Sequence, residues 1–252
     1  MRKVILIPSF NDKEKLFWIY KIPSDFNYII YEKIPGLNKE ISISKNHKKI
    51  PVIGPAEYAF LYHIVKNYDN LEDIIVFTKV HLFNHCILFF EGLKECERNL
   101  FFNFKNNMRQ FVNVEGETYK KYVEKYSNNE KFKKHRILPK EKKNDIVSIL
   151  MCGYSRGPVS SFEDFKKISL YKFWPFKECC SYENTITQQE GVFSVKKELI
   201  YSLGKDFWNN LLNFMEETPI TEHINSRDSW CWFLFWLFTK GEQEIINSIE
   251  IK

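Results

Sequence analysis

Two histidines, His81 and His85, stand four residues apart in the chain and would share one face of a helical turn. Each imidazole could act as an acid or a base near neutral pH. As a metal pair they would need a third ligand, for which Asp69 or Asp73 is available. As structural groups they could instead hold their loop by hydrogen bonds. The spacing therefore leaves acid–base chemistry, metal binding and loop anchoring open.

The elements in front of these histidines predict where they lie. Residues Ala56–Tyr68 show the three-and-four apolar spacing of an amphipathic helix. After a polar turn, Ile74–Phe77 is a continuous apolar run, which is typical of a buried strand. Ligands of open α/β sheets bind just beyond the carboxyl ends of strands. Residues 78–85, which include the cationic Lys79, are therefore the first candidates for substrate binding.

The N-terminal residues predict a strand, a helix and a second strand, which form a βαβ unit; these elements are Lys3–Pro8, Lys13–Tyr20 and Phe26–Tyr31. Ser9, Asn11 and Asp12 follow the first strand and could contact a nucleoside. They could equally cap the helix that follows. Residues 35–51 are predicted to form a loop, and its cationic run from Lys45 to Lys49 would suit a diphosphate or a solvated surface.

Three further sites carry candidate groups for catalysis or binding. Arg156 lies in a glycine-containing turn after the predicted strand 145–151 and could bind a phosphate or a carboxylate through its fork of donors. Glu190 precedes a short predicted strand at 192–195 and could act as a general base or lie in an exposed turn. Arg227 and Asp228 open the last predicted helix and could bind a ligand or cap the helix.

Helices are predicted for much of the remaining sequence. Residues 86–104 form apolar patches between charges and are predicted to be helical. The segment 195–252 is predicted to be a helical C-terminal part, with one helix at 206–217 and the last at 226–239. That last helix begins at a Ser226 or Asp228 cap, ends at Lys240–Gly241, and has aromatic residues on nearly all sides. Such a distribution indicates burial or an apolar partner.

The positive charge of the chain is concentrated in one segment. Residues 120–143 hold ten basic and three acidic side chains, a net charge of +7, whereas the whole chain of 252 residues carries +5. The rest of the chain is therefore slightly acidic. The stretch 118–144, which contains this segment, is interpreted as a surface insertion or loop. It could also contact nucleic acid or anionic lipid. Because no nucleic-acid recognition motif accompanies it, nucleic acid is the less favoured partner.

The composition is that of a globular protein with a large core, because 44% of residues are hydrophobic and 17% are aromatic. The six cysteines form no Cys-x-x-Cys pair, and the apolar run after Met1 stops at Pro8, which is too short for a signal peptide or a membrane span. These features favour reduced thiols in a cytoplasmic protein. No Asp-x-Asp sequence occurs, so a Mn²⁺ or Mg²⁺ cofactor has no obvious ligand motif.

Several of these motifs resemble one protein family. The sequence FLYHIVKNYDNL (residues 60–71), followed by FTKVHLFNH (77–85), resembles the core of domain-of-unknown-function family 3431. Residues 189–195 and 226–238 resemble two later elements of that family. The chain departs from the family pattern at Gly54–Ala56 and at Lys79–Val80. The resemblance spans most of the chain.

The resemblance implies a single α/β domain over residues 1–252, with a mixed, mostly parallel sheet flanked by helices, similar to GT-A glycosyltransferases. It implies transfer of a sugar from a nucleotide-sugar donor to a glycan or another acceptor. Glu190 or Asp228 would then accept the acceptor's proton, and Arg156 or the loop with His81 would hold the diphosphate. The alternative function is a non-catalytic module that docks on an anionic surface, such as a membrane periphery or nucleic acid, through the Lys-rich segment and the aromatic C-terminal helix.

Overall fold

A computed structural model describes the fold over most of the chain; it covers residues 1–10, 16–80, 82, 89–104, 166, 169–176, 192–218 and 220–250. Within the last range, only the backbone is described for residues 220–229, 231, 232 and 250.

One mixed sheet organises these residues. Its seven strands are β1 (Lys3–Ser9), β2 (Asn27–Ile34), β3 (Ile41–Ser44), β4 (His47–Pro51), β5 (Ile74–Phe77), β6 (Phe101–Asn103) and β7 (Phe193–Lys196). They lie in the order β3-β4-β2-β1-β5-β7-β6. The pairs β2–β4, β1–β2 and β1–β5 are parallel, whereas β3–β4, β5–β7 and β6–β7 are antiparallel. The α/β class is confirmed, but the prediction of a mostly parallel sheet is wrong.

The central strands form where the sequence has continuous apolar runs. Every residue of β1 and of β5 is buried, as expected for strands that are covered on both faces. Leu6 of β1 lies opposite Ile29 of β2 on one side and Phe77 of β5 on the other. Strand β1 is therefore the middle of the parallel part of the sheet.

Two predictions for other parts of the sheet are wrong. Residues 35–51 contain the hairpin β3–β4, in which the alternating Ile and Ser residues of β3 pair with residues 47–49 of β4 across a two-residue turn at Lys45–Asn46. Residues 101–103 form β6 rather than the end of a helix, because they pair with β7 and bury Phe101 and Phe102. For β6, pairing with a strand distant in sequence outweighs the local pattern, and for residues 41–51 the hairpin pairs through β4 with β2.

Helices cover both faces of the sheet. They are α1 (Glu57–Asn67), α2 (Phe89–Glu95), α3 (Lys197–Tyr201), α4 (Lys205–Glu217) and α5 (Ile220–Glu250), with short 3₁₀ turns at Ile19–Lys21, Tyr68–Asn70, Cys96–Arg98 and Ser169–Phe173. Residues of α1, α4 and α5 form one core with Leu6 and Phe77. Trp18 and residues of α2 form the other core with Ile5 and Ile7.

The last helix is longer than its sequence signals predict. Ser226, Asp228 and Gly241 lie inside α5 rather than at its ends. Gly241 is helical and buried. A Cβ at this position would lie 2.9 Å from Leu199 Cδ1, so the glycine allows α3 to approach α5 closely. The described aromatic side chains of α5, including Trp236, are buried in the core. Among the described residues, no helix is long and apolar enough to cross a membrane.

The packing of α2 against β6 makes Gly92 a test of the second core. A Cβ at residue 92 would lie 2.5 Å from Cδ1 of Phe104. We expect Gly92→Ala to lower the free energy of unfolding, because overpacking costs about 1–3 kcal/mol and outweighs the gain in helix propensity of about 1 kcal/mol. Urea denaturation would measure the change. In the Phe104→Leu background the same substitution should cost less, and an equal cost in both backgrounds would contradict this contact.

Candidate functional site

The order of the strands defines a switch point between β1 and β5. From β1 the chain continues to β2 and then β4 on one side of the sheet, whereas β5 pairs on the opposite side of β1. Ligands of open α/β sheets bind in the crevice outside the carboxyl ends of the strands at such a point. Here these ends are followed by Phe10 and by Thr78 to Val80. This edge of the sheet is the candidate site.

Two buried hydroxyl groups and one lysine lie at this edge. Ser9 is 5% exposed, Thr78 is fully buried, and Lys79 is partly buried. The Thr78 hydroxyl donates to the carbonyl oxygen of Leu6 at 2.8 Å, and the Thr78 backbone N–H donates to the same oxygen at 3.1 Å. Thr78 therefore fastens the end of β5 to β1. Lys79 brings positive charge to the same place.

A carboxylate and an imidazole lie beside Ser9. Glu32 is the neighbour of Ser9 in the β1–β2 register, and both continue the strand face that packs around Ile7 and Ile30. The Oε2 atom of Glu32 lies 3.0 Å from Nε2 of His47, and Glu32 is only 8% exposed. A histidine oriented by a carboxylate is an arrangement that can transfer protons, and the carboxylate can also accept N–H groups of a ligand.

The segment that follows β1 is joined to the segment that follows β5. The indole N–H of Trp18 donates to the carbonyl oxygen of Val80 at 3.1 Å. Both residues are buried, and the Trp18 ring makes an edge contact with Phe89, with 5.9 Å between centroids. The two walls of the candidate crevice are therefore in direct contact.

The opposite face of the same sheet edge carries a buried lysine. The Lys33 ammonium donates to the carbonyl oxygens of Gly54 and of Pro55, the latter at 3.0 Å. Burial lowers the pKa of Lys33 to about 8, although the nearby Glu57 carboxylate opposes this shift. Lys33 therefore holds the loop between β4 and α1 at the carboxyl edge of the sheet.

A buried polar chain holds α1 in place. His63 is fully buried, with Nδ1 2.9 Å from the Tyr31 hydroxyl and Nε2 3.1 Å from Oε2 of Glu72. Burial alone would raise the pKa of the Glu72 carboxyl, but the hydrogen bond and charge of His63 and the charge of Arg2 leave that pKa below its usual value. These contacts join α1 to β2 and to the turn before β5, which is a structural role.

The structure describes the side chains of only some of the predicted site residues. Ser9 is the last residue of β1 and Lys79 follows β5, so both lie at the carboxyl ends of this parallel pair of strands. The other predicted residues fall outside the described residues or, for Arg227 and Asp228, in the part of α5 whose side chains are not described; they are Asn11, Asp12, His81, His85, Arg156, Glu190, Arg227 and Asp228. Their convergence on one site stays a prediction.

The two aspartates named as possible third metal ligands lie before β5, at its amino end. Asp73 directly precedes β5, at the edge opposite Lys79, and its Oδ1 is 2.5 Å from Nζ of Lys197. Oδ2 of Asp69 lies 2.5 Å from Nζ of Lys205. Both aspartates therefore already pair with lysines, and because His81 and His85 lie outside the described residues, the metal-binding alternative stays untested. The described side chains include no group of three or more His, Cys, Asp or Glu residues that could hold a metal ion.

Comparison with known proteins adds no relative. No protein-family model, curated protein or solved structure matches this chain. The resemblance to domain-of-unknown-function family 3431 is therefore untested, and the candidate site is interpreted from its own geometry.

The low pKa of Lys33 predicts a pH dependence of stability. Because folding lowers this pKa from 10.5 to about 8, the unfolded chain binds more protons in that interval, and the contribution of Lys33 to stability rises with pH. Relative to Lys33→Met, the wild type should gain up to about 3 kcal/mol in unfolding free energy from pH 8 to 10.5. Denaturant titrations across this range would measure it. The exposed Lys94→Met variant should show no such trend, and a constant difference for Lys33→Met would contradict the burial.

Glu72 predicts a second pH-dependent contribution to stability, in the acid range. Its lowered pKa means that the stabilising contact with His63 is present above the unfolded pKa, near 4.5, and is lost as pH falls through the folded pKa. Glu72→Gln should therefore cost about 1–2 kcal/mol at pH 6, and less as the pH falls to 3. Thermal unfolding at both pH values would test this, with the exposed Glu198→Gln as control. An equal cost at both values would rule out a contribution from the Glu72 charge.

Proposed function

We propose that this protein is a glycosyltransferase-like enzyme that transfers a sugar from a nucleotide-sugar donor to a glycan-type acceptor. In this proposal the nucleotide binds at the carboxyl edge of β1 and β5. The domain is then GT-A-like, with the sheet serving as the platform for the donor.

The switch point between β1 and β5 is the observation that carries this proposal. It is the position at which open α/β sheets bind nucleotides. Ser9 and Thr78 supply buried hydroxyls there, and the ammonium of Lys79 provides charge for a diphosphate. A hydroxyl and an ammonium just beyond the carboxyl ends of parallel strands are groups that can bind a phosphate-containing ligand.

The chemistry of an inverting transfer assigns roles to the candidate residues. One carboxylate must take the acceptor's proton while cations stabilise the leaving diphosphate. We assign the base to Glu190 or Asp228 and the diphosphate contacts to Lys79, Arg156 and the loop with His81. Glu190 precedes Phe193 by three residues, and Phe193 pairs with Phe77 at the carboxyl end of β5, which supports the assignment of Glu190. A Mn²⁺ or Mg²⁺ ion could supply additional charge.

The alternative function is a non-catalytic module that binds an anionic membrane or nucleic acid. Such a module would bind its partner through two surfaces, the Lys-rich segment at 118–144 and the aromatic C-terminal helix. The described aromatic side chains of α5, among them Trp230, Phe233 and Trp236, are buried in the core. These side chains are therefore not available to a partner. The Lys-rich segment lies outside the described residues, and the side chain of Trp232 is not described.

A thermal-shift panel of nucleotides and nucleotide sugars, with and without Mn²⁺, tests the proposed function. A ligand at one hundred times its dissociation constant should stabilise the folded protein by about 2.7 kcal/mol. We expect at least one nucleotide sugar to raise the melting temperature. If none does so, and anionic vesicles bind with strong salt dependence, the binding-module function is favoured instead.

A matched pair of lysine variants locates the bound nucleotide. Lys79→Ala should weaken nucleotide binding about tenfold or more, because a charged contact to phosphate contributes about 1.5–3 kcal/mol. Lys94→Ala removes the same charge from the exposed side of α2 and should leave affinity unchanged. Isothermal titration would measure both. Equal affinities for the two variants would place the nucleotide elsewhere.

A further inference from the structure

Two buried hydrogen bonds join the β1 side of the switch point to the β5 side. One lies within the sheet and the other lies beyond the strand ends. Thr78 bonds to Leu6 within the sheet, where the strands themselves already pair. Trp18 bonds to Val80 beyond the sheet, where no ladder of strand hydrogen bonds holds the chain. The Trp18 bond therefore joins the segment after β1 to the segment after β5 in this outer region.

The position of the Trp18 ring is fixed by its surroundings. Trp18 is 1% exposed. Its edge contact is with Phe89 of α2, and Phe89 in turn stacks on Phe104, with 5.0 Å between the ring centroids. A ring packed in this way presents its N–H in one direction. The Val80 carbonyl is therefore held by a rigid donor, because a packed indole has few alternative rotamers.

Loss of this donor would act on the backbone next to Lys79. The Val80 carbonyl is buried, and a buried carbonyl without a partner is costly. If Trp18 lost only its N–H, the Val80 peptide would have to turn toward another donor or toward water. Either movement shifts the main chain that carries Lys79, whereas the apolar packing of the ring would remain.

We infer that Trp18 is a positioning residue that couples the two walls of the crevice, so that a ligand bound between them depends on the Trp18–Val80 hydrogen bond. The coupling itself rests on the described contacts. Its effect on nucleotide affinity rests also on the proposed function.

The chain contains a matched control for this contact. Trp208 of α4 is also fully buried, and its indole N–H donates to the carbonyl oxygen of Ile200 at 2.8 Å. It lies in the other core, on the opposite face of the sheet. Trp18→Phe and Trp208→Phe therefore remove the same chemical group from a buried indole-to-carbonyl bond, and only the first bond joins the walls of the crevice.

Hydrogen exchange tests the coupling without any ligand. We expect Trp18→Phe to raise amide exchange in the segment from Ile74 to Val80 at least tenfold, and Trp208→Phe to leave that segment unchanged. Unchanged exchange in Trp18→Phe, or an equal rise in both variants, would overturn the inference. If circular dichroism shows that Trp18→Phe does not fold, Phe89→Leu replaces it, because this substitution loosens the Trp18 ring but keeps its N–H. Phe89→Leu should raise exchange in the same segment, and unchanged exchange would also overturn the inference.

Binding of the four ribonucleoside diphosphates, with uridine diphosphate as the first probe, tests the effect on the ligand. We expect Trp18→Phe to raise the dissociation constant at least fivefold and Trp208→Phe to leave it within twofold of the wild-type value. An unchanged constant in Trp18→Phe would overturn the proposed effect on binding. If no diphosphate binds the wild type, the proposed nucleotide function fails, whereas the hydrogen-exchange result still decides whether Trp18 couples the two segments.

Discussion

The parallel pairing of β1 with strands on both of its sides is the constraint on which the rest of the structure depends. β1 is a short run of buried apolar residues, and its backbone groups are satisfied by β2 on one side and β5 on the other. Two parallel strands cannot be joined by a tight turn. The chain must therefore leave the sheet at the carboxyl end of each strand, and Ser9, Thr78 and Lys79 lie at these departures.

Polar contacts then hold α1 and the adjoining loop against this scaffold. The chain Tyr31–His63–Glu72 fastens α1 to β2 and to the turn before β5, and Lys33 fastens the loop in front of α1. Tyr31, His63 and Lys33 are buried and would be costly to leave without a partner, and Glu72 is partly buried. The same contacts that stabilise the fold also fix the edge of the sheet where the candidate site lies.

The sequence predicts the central elements better than the peripheral ones, for a physical reason. β5 is predicted to the residue and α1 to within one residue at each end, because a buried strand and an amphipathic helix each impose a strong local period. The strands β3 and β6 were missed, since four and three residues carry little local signal and their structure comes from pairing with β4 and β7.

The candidate site follows the same division. Ser9 and Lys79 could be predicted because polar residues after buried strands mark the binding edge of an α/β sheet. The other two contacts could not be predicted. Glu32 and His47 are 15 positions apart and meet through the register of the sheet. Trp18 and Val80 are 62 positions apart and meet through the packing of a loop. Glu32 lies near the end of β2, and His47 is the first residue of β4. The pair could have been anticipated only if β4 had been predicted as the strand beside β2.

Chemical-shift mapping of the protein with uridine diphosphate and the other ribonucleoside diphosphates tests the central claim most directly. The account predicts that amide signals of Ser9, Thr78 and Lys79 shift on titration, while those of Arg2 and Asp73 at the amino edge of the sheet do not. Shifts confined to the amino edge, or none with any nucleotide, would contradict a nucleotide site at the switch point.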